Sequence, residues 1–296
     1  MKENIPCPLC GKRNISFRLQ KPERRIVQCK NDGLVFVNPQ PTERELDRLY
    51  NENYFAVGAK RTDNSLGYYD YLAERPLLLP YFRRKVRQLK SLLPGKKILE
   101  IGSGYGFFLE EAKHEGLDVL GIDISRPAVD YAKKQGLSAR AIDLFDAKFR
   151  HGTFDGVVAF HLIEHVLDPV VFMREVYRIT KPGGVILLAT PREGGYLSRI
   201  MGKNWFSFRH REHLYFFSKE TLTALLAKTG FTDIRCFGDE TRWYPVHFLL
   251  RGATYFSESL LWQKMFRWAE AVFKIFPLSI LQVPFPLDTM IVTAKK

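Results

Sequence analysis

The segment that decides the fold is Ile98-Leu99-Glu100-Ile101-Gly102-Ser103-Gly104-Tyr105-Gly106, an apolar run that ends in three alternating glycines. A helical pattern follows directly, from Phe107 to His114. Glycine lets the backbone turn tightly after a strand and lets a ligand approach the bare amide groups at the start of the next helix. A dinucleotide fingerprint, G-x-G-x-x-G, would place its third glycine at position 107, where Phe107 stands. The segment therefore predicts a strand, a ligand-binding turn and a helix, in a pattern that differs from that fingerprint.

Short apolar runs alternate with helix-length segments after this turn. The runs cover residues 119–122, 154–160 and 185–189, and two late ones cover residues 231–237 and 289–294. Such alternation is typical of a parallel sheet that is covered by helices on both faces. We therefore predict an α/β fold.

The glycine segment resembles the first motif of class I S-adenosylmethionine-dependent methyltransferases, E-x-G-x-G-x-G. Matching segments follow in the family's order from residue 96 to about residue 238. The resemblance implies a Rossmann-like seven-stranded sheet in the order 3-2-1-4-5-7-6, with S-adenosyl-L-methionine as the cofactor. The cofactor-binding positions that it implies are Glu100, Gly102, Ser103, Gly104, Gly106, Asp123, Ile124, Asp143, Leu144 and His161.

Two acidic residues stand where this family holds the nucleoside part of its cofactor. Asp123 closes the second strand, and its two acceptor oxygens suit the two neighbouring hydroxyls of a ribose. Asp143 stands near the end of the third strand, where the family contacts the adenine amino group, and Leu144 is placed to lie on the ring. Taken singly, either acid could be a solvated surface residue or a helix cap, so the ordered set carries the prediction. The Lys-Pro-Gly-Gly segment at 181–184 is interpreted as a turn before the fifth strand.

The segment after the fourth strand, HLIEHVLDP at residues 161–169, lies where the carboxyl ends of the strands place catalytic groups. It lacks the Asn/Asp-Pro-Pro-aromatic motif of base-amino methyltransferases, which disfavours methylation of DNA bases. It resembles the corresponding segment of small-molecule O-methyltransferases, including the ubiquinone-biosynthesis group, in which Glu-His follows the strand. The resemblance implies a hydroxyl acceptor.

His165 is the first candidate for a general base. Methylation of a hydroxyl removes its proton, and an imidazole with a pKa of about 6.5 suits that step at neutral pH. The alternative is a residue that packs against the cofactor or caps the turn. Glu164 is a candidate to orient a histidine or hold a divalent cation, although an acid in a first helical turn also explains it. Metal-using relatives carry an acid where His161 stands, and because of this departure a catalytic metal is not among our predictions.

His213 is the second catalytic candidate. It lies in RHREHLYFFS at residues 209–218, and ribbon-bearing family members carry a similar His-Leu-Tyr-aromatic-aromatic segment between the fifth strand and the next helix. From there it would reach the site from the opposite side, or else it only satisfies backbone groups of its loop. Arg209 and Arg211 suit an anionic group of a substrate, such as a diphosphate, or are simply solvated. Ser218 is interpreted as the N-cap of the following helix.

Three of the four cysteines lie in the first thirty residues. Cys7-Pro-Leu-Cys10 and Cys29-Lys-Asn-Asp32 have the spacing of two zinc knuckles, with Asp32 in place of the fourth thiolate. Three thiolates and one carboxylate can complete a tetrahedron around a structural zinc ion, and a metal-free ribbon is the alternative. The resemblance here is to methyltransferases with an N-terminal zinc-binding ribbon.

The composition is that of a globular protein. The 296 residues include 45 Lys+Arg and 32 Asp+Glu, which gives a formal charge of +13, and 46% are hydrophobic, which excludes a disordered or collagen-like chain. A cysteine ribbon with a positive charge also resembles ribosomal-RNA guanine methyltransferases, so RNA methylation is an alternative. The basic residues are spread along the chain, which favours a small-molecule acceptor over nucleic acid.

The tail between residues 243 and 286 is rich in aromatic residues with interleaved lysine and arginine. This pattern suits an amphipathic helix on an anionic membrane surface, a lid over a lipophilic substrate, or ordinary packing onto the core. No stretch reaches the roughly 18 apolar residues of a spanning helix, and the N-terminus does not read as a signal peptide. We therefore expect a cytoplasmic protein, with peripheral contact at the inner membrane face as an option.

Five segments are predicted: a zinc-ribbon-like segment at 1–41, a helical cap at 42–94, the methyltransferase core at 95–242, an aromatic helical insertion or lid at 243–286, and the last core strand at 287–296. The predicted function is methyl transfer from S-adenosyl-L-methionine to a hydroxyl of a small molecule such as a glycan, a quinone or a lipid-linked metabolite. A non-catalytic binding scaffold with the same fold is the remaining alternative. The oligomeric state is left open.

Overall fold

The computed structural model of the chain describes residues 4–46, 71–72, 74–238, 241–256, 259–275, 281–286 and 288–296. Its strands are β1 Ile15–Lys21, β2 Arg24–Cys29, β3 Val35–Val37, β4 Lys97–Ile101, β5 Asp118–Asp123, β6 Ala139–Ala141, β7 Phe154–Phe160, β8 Thr180–Pro191, β9 Tyr215–Phe216, β10 Thr232–Phe237, β11 Thr241–Pro245, β12 Gln282–Pro286 and β13 Thr289–Lys295. Its helices are α1 Arg75–Lys90, α2 Phe107–His114, α3 Arg126–Lys134, α4 Pro169–Ile179, α5 Tyr196–Met201, α6 Lys219–Lys228, α7 Val246–Phe256 and α8 Leu260–Phe273. Of the helical cap predicted at 42–94, residues 47–70 and 73 lie outside the described residues.

The central sheet has seven strands in the order β10-β13-β8-β7-β4-β5-β6. Strand β13 runs antiparallel to β8 and β10, and the remaining neighbours pair in parallel. Counted along the chain within this sheet, the order is 3-2-1-4-5-7-6, so the predicted α/β sheet is confirmed. The carboxyl ends of the parallel strands meet at one edge, which is where such sheets bind their ligands.

Both faces of the sheet are covered, as the alternation of strands and helices predicted. In β4, Ile98 belongs to one core cluster, whereas Leu99 and Ile101 belong to the other. Helix α1 covers the first of these faces and is tied to α2 by Arg83, which donates two hydrogen bonds to the carboxylate of Glu111, at 2.8 and 3.1 Å. This helix lies within the segment predicted as a helical cap, and its buried residues recur at steps of three and four.

The Lys-Pro-Gly-Gly segment at 181–184 corrects one prediction. It was expected as a turn before the strand, but it lies inside β8 as a bulge. Phe154 and Gly156 of β7 are two residues apart, whereas their partners Thr180 and Val185 are five apart. Gly183 permits this excursion because it adopts a φ of 74°, which is accessible to glycine.

The N-terminal strands form a second sheet in the order β1-β2-β3-β9. Its last strand, β9, comes from the loop that carries His213, and Val35 and Phe36 of β3 pair with it. Cys7 and Cys29 belong to the same hydrophobic cluster as residues of α4 and α6. The ribbon is thus packed on the core through a continuous apolar contact.

The insertion predicted before the last core strand lies between β10 and β13. Strands β11 and β12 pair antiparallel and enclose the helices α7 and α8, which pack against each other. Among the described helices, none combines the length and the apolar character that crossing a membrane requires.

Candidate active site

The glycine segment forms a compact turn between β4 and α2. The backbone N–H groups of Gly102 and Ser103 both donate to the carbonyl of Ile122 in β5, at 2.8 and 3.1 Å. Gly102, Gly104 and Gly106 all have positive φ angles, of 74°, 49° and 82°. These glycines are required because residues with a Cβ rarely adopt that conformation.

Asp123 ends β5 beside this turn. Its Oδ2 accepts a hydrogen bond from the N–H of Gly104 at 2.7 Å, and its Oδ1 accepts one from the N–H of Ser125 at 2.8 Å. Burial raises the pKa of this carboxyl, although the two backbone donors oppose the shift. Each carboxylate oxygen keeps a further lone pair, which suits the ribose hydroxyls that the sequence predicted for it.

Glu100 and Ser103 line the cavity next to the turn. Glu100 is buried, and burial together with the charge of Asp123 raises its pKa well above the usual range. Within the part of the chain that the structure describes, Glu100 Oε2 and Ser103 Oγ have no hydrogen-bond partner. Buried polar atoms of this kind need a partner, and the ammonium group of S-adenosyl-L-methionine would supply one. The residues present therefore fit this cofactor.

The other cofactor positions lie in different environments. Strand β6 ends at Ala141, and the N–H of Ile142 donates to the carbonyl of Asp123, so the segment of Asp143 follows beside Asp123. Asp143 is exposed and accepts a hydrogen bond from the N–H of Phe145. Ile124 is exposed, whereas Leu144 is buried in the core. Their contacts with a nucleobase remain predictions.

A cavity of about 250 Å³ lies at the carboxyl edge of the sheet. On one side it is lined by Glu100, Gly102 and Ser103 of the glycine turn. Most of its other lining residues are aromatic rings and imidazoles, namely Tyr71, Tyr81, Phe82, Phe107, Phe108, Phe160, His161, His165, Phe206, His210, His213 and Tyr244, and the rest are Glu74, Leu78, Pro191, Glu212 and Thr289. The glycine turn and the histidines therefore face the same space.

The catalytic candidates form one buried cluster. The rings of His165 and His213 meet edge to face, with centroids 4.8 Å apart, and His213 stacks on His210 at 4.5 Å. Glu164 accepts a hydrogen bond from the hydroxyl of Thr190 at 2.8 Å, and its other oxygen lies 3.5 Å from His161 Nδ1 and 4.0 Å from His165 Nε2. The structure thus brings together His161, Glu164, His165 and His213. The first three come from the segment at residues 161–169, whereas His213 comes from the segment at 209–218.

Backbone contacts explain how two distant loops come to share the cluster. The N–H groups of Leu214 and Tyr215 donate to the carbonyl of Glu164, at 2.8 and 3.2 Å. From the ribbon, the guanidinium of Arg24 donates to the carbonyls of Phe208 and His213. The loop that carries His213 is therefore held between the ribbon and the end of β7.

Burial sets the charge state of the cluster. It lowers the pKa of His165, and it lowers the pKa of His213 well below the usual range with help from neighbouring cationic groups. Burial also opposes ionisation of Glu164, but the imidazole of His161, 3.5 Å away, and the charge of His165 outweigh it and lower its pKa. At neutral pH the site therefore presents two neutral imidazoles beside a carboxylate. Such a site can accept a proton and stabilise the resulting cation.

Sequence reasoning missed several members of this site. Ser207 contacts His213 Nδ1 at 2.8 Å, and Glu212 lies 3.3 Å from His210. The signal that was available is the density of His and Glu at 210–213. Arg211, considered as an anion ligand, instead forms an ion pair with Glu23 at 3.2 Å.

Among the described residues, two sets of side chains have an arrangement that suits a metal ion. One side-chain donor atom from each of Glu164, His165 and His213 lies within 4.8 Å of the others. The predicted ribbon ligands Cys7, Cys10, Cys29 and Asp32 meet the same limit.

The two ribbon knuckles close in the same way. Gly11 donates its N–H to the carbonyl of Cys7, and Gly33 donates to that of Cys29, with positive φ at both glycines. The sulfurs of Cys10 and Cys29 lie 3.5 Å apart, close to the roughly 3.8 Å between thiolates bound to one tetrahedral zinc ion. The donor set therefore fits zinc.

The sheet order, the glycine turn and the carboxylate that ends β5 define a class I methyltransferase fold with a catalytic edge. The sequence family described as "Methyltransferase domain" matches residues 71–235, more than half of the chain. The chain belongs to this family and is an S-adenosylmethionine-dependent methyltransferase.

Relatives and solved structures agree with this assignment. The ubiquinone biosynthesis O-methyltransferase of Bordetella avium is 26% identical over 183 residues, which cover 56% of this chain and 74% of that protein. The enzyme of the same name from Pseudomonas aeruginosa is 34% identical over 122 residues, and the match spans 38% of this chain and about half, 53%, of that relative. A SAM-dependent methyltransferase from Archaeoglobus fulgidus shares the fold, with a TM-score of 0.52 at 19% identity, over 76% of this chain and 99% of that one.

Proposed function

We propose that the enzyme transfers the methyl group to a hydroxyl of a small, largely apolar acceptor, with His165 as the general base. The observation that supports this most is that the histidine cluster and the glycine turn line one cavity. When bound, S-adenosyl-L-methionine supplies an electrophilic methyl group on a sulfonium. The chain's own residues must then align the acceptor oxygen and take its proton.

His165 suits the proton transfer because its imidazole is neutral at physiological pH. As the acceptor oxygen attacks, the hydroxyl proton would pass to His165, and the Glu164 carboxylate 4.0 Å away would stabilise the imidazolium. Thr190 holds Glu164 in place. His213, fixed by Ser207, would keep the His165 ring in position or take the proton from an acceptor bound on its own side. Alignment in the closed cavity would supply much of the remaining rate.

The cavity wall favours an acceptor with an aromatic or apolar body. At least six phenyl or phenol rings line it, and large rings stack well on planar ligands. A hydroxylated quinone or a lipid-linked metabolite fits such a wall better than a free glycan. The names of the two ubiquinone biosynthesis relatives point to the same class.

Methyl transfer to RNA is less well supported. A basic patch for phosphates would need free charges, but on α1 Arg83 pairs with Glu111, while Arg87 and Lys90 pair with Glu115. A non-catalytic scaffold would not explain why the charge states of His165 and Glu164 suit proton transfer.

The test compares His165→Gln with His114→Gln, an exposed histidine at the end of α2. Acceptors are screened with methyl-labelled S-adenosyl-L-methionine against hydroxylated quinones, phenols, glycans and RNA. We expect His165→Gln to lower kcat by roughly 10²–10⁴-fold with cofactor affinity unchanged, and His114→Gln to have no effect. Equal turnover in both variants would refute the general-base role, and transfer to RNA alone would refute the acceptor class.

We also propose that Cys7, Cys10, Cys29 and Asp32 hold a structural zinc ion. In the structure the Cys7 thiol donates to Asp32 at 3.1 Å, and burial raises its pKa, so zinc binding would release protons. Metal analysis of the purified protein should find about one zinc per chain. Cys29→Ser should lose it, and a metal-free chain at full stability would refute the site. The protein would work in the cytoplasm or at the inner membrane face.

A further inference from the structure

Helix α8 presents an apolar stripe to solvent. Leu261, Met265 and Trp268 follow one another at steps of four and three residues, which places them on one face of the helix. Leu261 is 67% exposed and Trp268 is 73% exposed, and Trp262 beside them is half exposed. Large apolar side chains grouped in this way usually mark an interaction surface.

The opposite face of α8 packs inward. Glu270 is buried on that face, and Gln263 and Phe266, which lie two turns and one turn before it, are half-buried. The exposed stripe is therefore not needed for the packing of the α7–α8 hairpin. Its exposure excludes the simple alternative that all of the tail's aromatic residues fill the core.

The charges next to the stripe have one sign. Glu270 is the single acid between residues 259 and 275, and it is buried and paired with Lys274 at 2.8 Å. Lys264 and Arg267 are exposed on the flank of the stripe. Tryptophan at the edge of an apolar face with flanking basic residues is the pattern of a helix that lies in the interface of an anionic bilayer.

A second copy of the chain fits this surface less well. A two-fold contact would bring the same patch of each copy together, so Lys264 and Arg267 of one copy would face a patch that carries the same positive charges. An anionic lipid surface instead offers the opposite charge to the same residues, and the chain as a whole carries +13.

The hairpin is joined directly to the wall of the catalytic cavity. Tyr244 of β11 lines the cavity and stacks on Phe248 of α7, with ring centroids 5.2 Å apart. Helix α7 begins two residues after Tyr244. A partner bound to the α7–α8 hairpin would therefore be linked to the catalytic cavity through one short segment of the chain.

We propose that the α7–α8 hairpin docks on anionic lipid bilayers through Leu261, Met265 and Trp268, with Lys264 and Arg267 at the headgroups, and that the acceptor reaches the cavity from the bilayer. The docking stands on the surface alone, whereas the delivery of an acceptor rests on the proposed function. Binding should strengthen with the fraction of anionic lipid and weaken with salt.

The experiment measures sedimentation of the full chain with vesicles of phosphatidylcholine, alone or with phosphatidylglycerol. We expect binding to the anionic vesicles only. The double variant Leu261→Ser/Trp268→Ser should lower the partition coefficient by roughly tenfold or more, whereas Val171→Ser, at an exposed apolar position of α4, should not.

Two double charge-reversal variants isolate the electrostatic contribution to vesicle binding. Lys264→Glu/Arg267→Glu should weaken binding strongly, because each lost positive charge alone costs about fivefold. Lys133→Glu/Lys134→Glu on α3 makes the same change of charge elsewhere and should have a small effect. Titration with S-adenosyl-L-methionine shows that each variant is folded.

Three outcomes would overturn the proposal. They are equal losses in the α8 and α3 charge variants, no binding to anionic vesicles, and a dimer in light scattering that Leu261→Ser/Trp268→Ser dissolves while vesicles remain unbound. Failure to find a methyl acceptor would count against the proposed function but not against docking, because vesicle binding is measured without turnover.

Discussion

The two sides of the catalytic cavity are built in different ways. The cofactor wall, Glu100–Gly106 with Asp123, comes from two adjacent parallel strands, and its contacts are set by local backbone geometry. The histidine wall, residues 161–165 with 207–213, joins two loops that are more than 40 residues apart and depends on the ribbon for support. The first wall is specified by a short motif, whereas the second exists only after the chain has folded.

This difference predicts how each wall responds to change. Damage to the cofactor wall should appear as lost affinity or lost stability, because its residues bind directly or shape a tight turn. Damage to the support of the histidine wall should instead appear in kcat, because that wall carries the proposed general base.

Asp123→Ala should have the largest effect. The variant removes the proposed acceptor for two hydroxyls of the cofactor, and hydrogen bonds to a charged group contribute about 1.5–3 kcal/mol each. We expect the Kd for S-adenosyl-L-methionine to rise by roughly 10²–10³-fold in calorimetric titration, which corresponds to about 3–4 kcal/mol. Asp118→Ala, at the exposed start of the same strand, is the control and should bind normally. Normal binding by Asp123→Ala would show that the cofactor wall lies elsewhere.

Sequence alone was sufficient to predict the turn of the cofactor wall, whereas the binding roles of its residues stay predictions. The alternating glycines must follow a strand and precede a helix, so their spacing already predicts the turn. For the histidine wall, the sequence identified His165 and His213 singly, but not their contact. That contact requires the pairing of β3 with β9 and the bonds from Leu214 and Tyr215 to Glu164. Pairings between distant segments leave no local spacing to detect, and Arg24 was missed for the same reason.

Gly106→Ala tests how tightly the turn is built. Gly106 has a φ of 82°, and a Cβ there would lie 2.7 Å from Leu137 Cδ1. The strain of the conformation costs about 1–2 kcal/mol, and the steric overlap adds about 1–3 kcal/mol. Gly116 has a similar φ of 77°, and a Cβ there would have no neighbouring atom within 4 Å. Gly116→Ala should therefore lose only the stability that the strained conformation costs. Denaturant unfolding measures the loss of stability in both variants. Equal losses would mean that the Leu137 side chain moves aside without a cost in free energy.

Arg24→Met tests whether the ribbon supports the histidine wall. Arg24 is mostly buried, and although burial lowers its pKa to about 10, it stays charged at neutral pH. Without it, the carbonyls of Phe208 and His213 lose a donor and the loop should shift. We expect kcat to fall about tenfold with an unchanged Kd for the cofactor. Arg25→Met, the exposed neighbour on β2, should keep full turnover, and a loss of cofactor affinity in Arg24→Met would contradict the separation of the two walls.

The smallest expected effect is on the pH dependence of folding stability. It distinguishes the two walls because the histidine wall carries the imidazoles whose pKa values burial lowers. Burial lowers the pKa of His165 and His213, so between that lowered value and about 6.5 the unfolded chain binds more protons than the folded one. The stability contribution is therefore complete above pH 6.5 and is lost as the pH falls through the folded pKa values. The lowered pKa of Glu164 acts in a separate window, below its usual value of about 4.5. Unfolding midpoints measured between pH 5 and pH 8 therefore contain a fall on the acid side that comes from the histidines. It is opposed by Glu100, whose raised pKa favours the folded state at low pH. His213→Gln should reduce that fall, because its shift is the larger one, while Asp123→Ala should retain it. An identical pH dependence in wild type and His213→Gln would mean that the histidine wall is open to water at the site where the acceptor is proposed to react.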